Sequence, residues 1–135
     1  MFHLVKILNG RVGVPEPEHI TLSAAATVSY GTPVIIKGGT LTKMSNAATS
    51  LPTHLVLADS AQKEVLVAPI SSEMVFEVPV ASAPTAMTVG SEYLLSADGM
   101  SLSATEAASG KRGAVLVSKA GAEAVGDTLL VRFCN

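Results

Sequence analysis

Apolar residues along this chain occur in short runs that alternate with polar or turn-forming residues, a pattern typical of β-strands. In the run Met74–Val80, Phe76 and Val78 fall on one face and Glu77 falls on the other. Similar runs are PVIIK, TLTKM, HLVLAD, KEVLVAPI, EYLLSA, AVLVSK and DTLLVRFC. No segment combines sustained helical spacing with helix caps. The pattern therefore predicts an all-β domain, a small β-barrel or sandwich of about eight short strands.

The order of turns and runs recurs along the chain at a spacing of about 60 residues, the kind of self-similarity that indicates a repeated structural unit. The matching pairs are Gly38-Gly39 with Asp98-Gly99, Leu55–Leu57 with Val115–Val117 and, after four extra residues, Val65–Val67 with Leu129–Val131. These matches predict an internal duplication, with pseudo-repeats at residues 31–80 and 90–135. Two such units can close on each other and leave few open strand edges.

The first 30 residues differ from the rest. Asn9-Gly10 is a two-residue turn signal, and Pro15 and Pro17 remove two backbone donors and favour extended geometry. We therefore expect residues 1–30 to form an N-terminal arm and residues 31–135 to form one β-barrel body. The strand in this arm has no intramolecular partner evident from the sequence, which suits addition to the sheet of another protein.

Composition narrows the possible partners. The chain has 135 residues, enough for one domain, and only 15% of them are charged, which suits a protein covered on several sides. The net charge is −2 and aromatic residues make up 4%, so the basic stripe and stacking platforms of nucleic-acid-binding proteins are missing. No apolar run is long enough to span a bilayer, and the start does not resemble a signal peptide. We expect no nucleic-acid or membrane partner and synthesis in the cytoplasm.

The residues that could carry chemistry are dispersed. His3, His19 and His54 have no metal-ligand spacing, and the acidic residues form no paired motif. The segment Ser109–Arg112 lacks the first glycine of a phosphate-binding loop and has Arg where that loop needs Ser or Thr. Cys134 stands alone and is interpreted as a small apolar residue at a strand end. The sequence thus predicts no enzyme, no catalytic or metal site and no cofactor.

The stretch of residues 27–80 resembles the body of bacteriophage capsid decoration (cement) proteins, including those of lambda-like phages. It carries G-x-P-V before a short apolar strand, a turn, an x-L-x strand, a loop of small residues, and L-V-L-A before a Val-rich strand. The resemblance implies a compact body of the β-tulip type that stands as a homotrimer on an expanded shell. It also implies an N-terminal arm that contacts the major capsid protein.

These expectations combine into a structural virion protein. It would bind the capsid exterior and stabilise the shell by bridging subunits of the major capsid protein. The expected capsid-binding residues lie in the arm and in the connector before residue 90; they are Phe2, His3, Leu4, Val5, Ile7 and Met87. An alternative is a small-ligand or glycan-binding β-barrel, which would need a pocket lined by Tyr30 or Tyr93. A hydrolase would need His54 beside an Asp and a Ser.

Overall fold

The computed structural model describes residues 1–8, 16–119 and 121–134, and within them the chain is all-β, as predicted. The described residues contain a single 3-10 turn at Pro84–Ala86 and eleven short strands, rather than about eight. Nine of these strands lie within residues 31–135, and residues 1–30 add two more. The predicted Asn9-Gly10 turn lies outside the described residues. The strands are β1 (His3–Ile7), β2 (Glu18–Thr21), β3 (Pro33–Lys37), β4 (Thr40–Lys43), β5 (His54–Val56), β6 (Glu64–Pro69), β7 (Met74–Pro79), β8 (Glu92–Leu95), β9 (Leu102–Glu106), β10 (Ala114–Ser118) and β11 (Thr128–Arg132).

The strands form two antiparallel sheets, and of the barrel or sandwich expected from the sequence the described strands form no closed barrel. The first sheet has five strands in the order β2-β6-β5-β3-β4, and the second has six in the order β1-β7-β11-β10-β8-β9. Strands 2 to 6 and strands 7 to 11 thus share one topology. In each set the strand that comes first along the chain pairs with the last. We call β2–β6 the first unit and β7–β11 the second unit; β1 is added to the second.

The unit boundaries differ from the predicted pseudo-repeats. Residues 31–80 were expected to form one repeat, but β7 leaves the first sheet and pairs with β11, Phe76 lying opposite Val131. Likewise β2, expected in the arm, pairs with β6, Glu18 lying opposite Val67. Each unit therefore begins one strand earlier than the sequence match suggested. The reason is that β2 and β7 are short and have few similar residues. Their sequences therefore do not reveal the repeat, although each pairs with the last strand of its unit.

Equivalent backbone hydrogen bonds fix the correspondence between the units. The Gly31 N–H donates to the Val56 carbonyl at 2.8 Å, and the Gly90 N–H donates to the Leu116 carbonyl at the same 2.8 Å. Both glycines adopt positive φ, 79° and 93°, a conformation that other residues rarely adopt. Gly31 therefore corresponds to Gly90 and Val56 corresponds to Leu116.

The cores of the two units correspond residue by residue. The core of the first unit consists of six buried side chains, Leu22, Val28, Val34, Val56, Val65 and Val67. Their counterparts by strand register are Val80, Met87, Tyr93, Leu116, Leu129 and Val131, and all of these are buried too. Each unit therefore buries the same face of its sheet. In each unit, two of the six core side chains come from residues that lie outside the strands.

The units pack front to back. Ile35, Leu55 and Leu57 lie on the face of the first sheet opposite its own core and pack against the core of the second unit. The core they meet includes Phe76 and Phe133, whose ring centroids are 5.7 Å apart. The first sheet is thus covered by apolar groups on both faces.

The open end of the first unit does not repeat this arrangement. By register, the counterparts of Phe76 and Phe133 are Glu18 and Pro69, both exposed. At this end the first unit therefore carries a carboxylate, which lies 3.2 Å from His54 Nε2, and a proline ring in place of two aromatic rings.

The expected free arm is wrong. Strand β1 pairs with β7, with His3 opposite Glu77 and Ile7 opposite Met74. Phe2 is 0% exposed, and its ring lies 6.4 Å from that of Phe76 and 5.3 Å from that of Phe133, centroid to centroid. Burying a side chain of this size stabilises the fold by about 2–3 kcal/mol, which outweighs leaving the strand in solvent. Residues 1–30 therefore contribute β1, β2 and part of the first core to the body.

A proline explains why β1 joins the second sheet and not the first. The Leu8 N–H donates to the backbone carbonyl of Glu73 at 2.9 Å. Because backbone groups alternate in direction along a strand, the odd-numbered residues of β7 direct their N–H and C=O groups toward β1. The counterpart of Val75 beside β2 is Pro17, which has no N–H to offer. Proline at such a position is a common way to protect a sheet edge from further pairing.

Replacing Phe2 with alanine tests the anchoring of β1. We expect Phe2→Ala to lower the free energy of unfolding by about 3–5 kcal/mol, because it leaves a cavity in the aromatic cluster. Val5 on the same strand is 48% exposed, and Val5→Ala should change stability by less than about 0.5 kcal/mol. Urea unfolding monitored by circular dichroism measures both. Equal effects of the two substitutions would show that β1 is not anchored by Phe2.

Candidate binding surface between the units

The six residues expected to bind a partner have different environments. Phe2 and Met87 are buried, at 0% and 3% exposure, and cannot reach a partner while the domain is folded. Met87 was expected to be exposed, but its connector folds into the 3-10 turn, where the Met87 N–H donates to the Pro84 carbonyl at 3.0 Å. Leu4 and Ile7 are half-buried against the second core. Only His3 and Val5 of the six are exposed.

Strand β1 is the edge of the second sheet. One side pairs with β7, and in the described parts of the chain no strand pairs with the other side. The register shifts between Leu4 and Lys6, which places a β-bulge at Val5. Val5 and Leu8 are 48% and 45% exposed. This strand is therefore anchored by Phe2 at one end and presents an open backbone edge with two apolar side chains.

An apolar cleft of about 250 Å3 separates β1 from the back of the first sheet. Its most deeply buried lining residues are Leu55, Ala68, Met74 and Phe76. The other lining residues, from both sheets and the loops beside them, are His3, Leu4, Pro17, Tyr30, Leu57, Pro69 and Ile70. No Asp, Glu, Lys or Arg side chain is among the described residues that line it. We call this the inter-unit cleft.

Two aromatic residues flank the inter-unit cleft. The rings of His3 and Tyr30 lie 5.7 Å apart, centroid to centroid, at an interplanar angle of 53°. Tyr30 is 38% exposed, and its backbone N–H donates to the Asp59 carboxylate at 2.7 Å. The loop before β3 is thus held while the ring remains accessible. A pocket lined by Tyr30 is the feature that the ligand-binding alternative required.

The ring nitrogens of His54 contact Thr and Glu side chains, not the Asp and Ser that a hydrolase would need. Its Nδ1 lies 2.8 Å from the Thr53 hydroxyl and its Nε2 lies 3.2 Å from the Glu18 carboxylate. The Thr53 hydroxyl already accepts a hydrogen bond from the Ile36 N–H at 2.9 Å, so it serves the backbone of β3. Within residues 1–8, 16–119 and 121–134, no group of three or more His, Cys, Asp or Glu could hold a metal ion.

The described ionisable groups with clearly shifted pKa values are the Met1 ammonium, Asp98 and Asp127, and none of them lines the inter-unit cleft. Hydrogen bonds from the Ser96 hydroxyl and the Met100 N–H lower the pKa of Asp98 in the β8–β9 turn. Partial burial lowers the pKa of the Met1 ammonium group, which donates to the Met100 carbonyl at 2.6 Å. The hydrogen bonds to Asp98 stabilise the β8–β9 turn. The hydrogen bond from Met1 connects the first residue to the second unit.

A half-buried carboxylate holds the loop through which the second unit contacts the first. Glu92 is 23% exposed and accepts hydrogen bonds from the Arg112 Nε at 3.0 Å and from the Gly113 N–H at 2.6 Å. The backbone N–H of Arg112 donates to the carbonyl of Ala48 in the first unit at 2.8 Å. Arg112 therefore has a structural role, and the segment Ser109–Arg112 is part of the junction between the units.

Sequence reasoning missed most of the inter-unit cleft, although one signal was present. The runs LVL of β5 and VLVA of β6 are apolar at consecutive positions, which indicates a strand buried on both faces. That pattern could have indicated a second layer against Leu55 and Ala68. The element that forms this second layer is decided by long-range packing, and no local sequence pattern identifies it.

Comparisons with known proteins do not assign the chain to a family. No protein-family model matches the chain, and no curated protein matches it significantly in sequence. In the described ranges, no helix is long and apolar enough to cross a membrane. The fold and the surface geometry therefore carry the functional argument.

Acid titration tests the role of Asp98. Its pKa is lowered in the folded protein, so its contribution to stability is complete above its unfolded pKa of about 3.9 and is lost as the pH falls through the lower folded value. We expect Asp98→Asn to destabilise the protein at neutral pH and the difference from wild type to shrink toward pH 2. Urea midpoints at both pH values measure this. A pH-independent difference would contradict the assignment.

Proposed function

We propose that this chain is a structural virion protein that binds the exterior of an expanded phage capsid and bridges subunits of the major capsid protein. The observation that carries the proposal is the anchored edge strand β1, whose outer edge pairs with no strand in the described parts of the chain and whose Val5 and Leu8 side chains are exposed. An extended segment of the capsid protein would pair with this edge, continuing the second sheet across the interface.

This mechanism differs from the expected free arm. Because Phe2 fixes β1 in its own sheet, the edge is ordered before binding, and less conformational entropy is lost on association. The β-bulge at Val5 discourages unspecific pairing between edges while leaving the flanking backbone groups able to pair. Preorganisation of this kind suits a protein that must occupy many equivalent sites.

The energy at each site would be modest. Burying the exposed parts of Val5 and Leu8 would contribute about 1–2 kcal/mol in all, at roughly 25 cal/mol per Å2. A homotrimer would present three such edges, and simultaneous engagement would raise the overall affinity well above that of one edge. The low share of charged residues, 15%, supports a surface that is covered in the assembled state. In this proposal the protein is not an enzyme and needs no cofactor.

A binding assay with matched variants tests the edge. We expect Val5→Asp combined with Leu8→Asp to weaken binding to expanded, undecorated shells at least about tenfold, because a carboxylate buried at the interface is unpaired. Val89 and Val125 are equally exposed apolar residues elsewhere, at 57% and 65%. The control with Asp at those two positions should bind like wild type. Co-sedimentation with shells measures both.

Two outcomes would contradict the proposal. One is wild-type binding by the variant with Asp at positions 5 and 8, after circular dichroism has confirmed that it is folded. The other is equal weakening in the control, which would indicate a different interface. Light scattering of the free protein measures the oligomer, and a monomer both in solution and on shells would rule out the trimer.

A further inference from the structure

The inter-unit cleft has the dimensions of a ligand site. Its volume is about 250 Å3, whereas an apolar cavity of about 150 Å3 in a protein interior is enough to bind benzene. Its floor is rigid, since Phe76 is 1% exposed and Leu55 is 6% exposed. A group somewhat larger than a single six-membered ring would therefore fit without displacing the core.

The walls of the cleft select for an uncharged, flat group. The lining includes the rings of Phe76, Tyr30 and His3 and of the two prolines Pro17 and Pro69. An aromatic group packs favourably against aromatic rings in stacked or edge-on geometry. The described lining residues include no Asp, Glu, Lys or Arg, so a charged ligand would lose hydration without gaining an ionic partner.

The cleft depends on side chains that the duplication does not repeat. The counterpart of Tyr30 in the second unit is Val89, and the counterpart of Ala68 is Arg132. The Arg132 guanidinium donates two hydrogen bonds to the Ser72 carbonyl, at 2.9 and 2.7 Å, which hold its side chain in place. The small side chain of Ala68 leaves the volume open in the first unit alone. Since Tyr30 and Ala68 are specific to that unit, their counterparts supply internal controls.

We propose that the inter-unit cleft binds a small, uncharged aromatic ligand of about the size of indole. The ring system would lie over Ala68 and Leu55, with Tyr30 and His3 at its outer side and available for one hydrogen bond to a polar edge. The site shares His3 and Leu4 with β1, but its test uses the free protein and a small ligand, so it stands or falls separately from capsid binding.

Titration with indole tests the site directly. The chain contains no Trp, so indole fluorescence can be followed without tryptophan emission from the protein. We expect saturable binding of indole and much weaker binding of indole-3-acetate, whose carboxylate would meet no Lys or Arg among the described lining residues. The chain has two tyrosines, and the ring resonances of Tyr30 should shift on binding while those of the buried Tyr93 should not.

Three variants make the test specific. Ala68→Leu fills the floor and Tyr30→Ser removes a wall, and each should weaken indole binding at least about tenfold by removing apolar contact. Val89→Ser, at the counterpart of Tyr30, should leave binding within about twofold of wild type. Thermal unfolding verifies that each variant is folded. Tyr30 is partly exposed, so Tyr30→Ser keeps the test usable if Ala68→Leu does not fold.

Several results would overturn the proposal. These are non-saturable indole binding, shifts at Tyr93 in place of Tyr30, or equal affinity in wild type and Tyr30→Ser. Stronger binding of indole-3-acetate than of indole would likewise overturn the assignment to an uncharged ligand.

Discussion

The rest of this structure depends on the packing of the first sheet, through its back face, on the aromatic end of the second unit's core. Leu55 enters that core beside Phe76, and Phe2 completes it from the N-terminal strand. Because this contact joins the back of one unit to the front of the other, it makes the two units inequivalent. The inequivalence creates the cleft, positions β1 and leaves one end of the molecule polar.

The duplicated topology has a repeated interior and two different ends. Both units bury the same six positions, so their inner architecture is the same. The differences lie at the ends, where Glu18 occupies the place of Phe76 and Pro17 the place of Val75. The first replaces an aromatic packing surface with a charged group, and the second removes a backbone donor beside β2. The same topology therefore presents different chemistry at the two ends.

The two proposed sites use different parts of this asymmetry. The edge of β1 is open because it is the last strand of a sheet, and it offers backbone groups to an extended segment. The cleft is open because Ala68 is too small to fill the space between the units. They share the neighbourhood of His3 and Leu4, so a strand bound at the edge would lie next to a ligand in the cleft.

The sequence by itself determined the strand pattern, the turn at Gly38-Gly39 and the recurrence after about 60 residues, because these are local signals of alternation and backbone freedom. It did not determine where β1 would pair, since an edge strand carries the same alternation whether its partner is in its own chain or in another. The burial of Met87 and the existence of the cleft were likewise decided only by tertiary packing. Both depend on which surfaces meet across many residues of chain, and no local pattern records that choice.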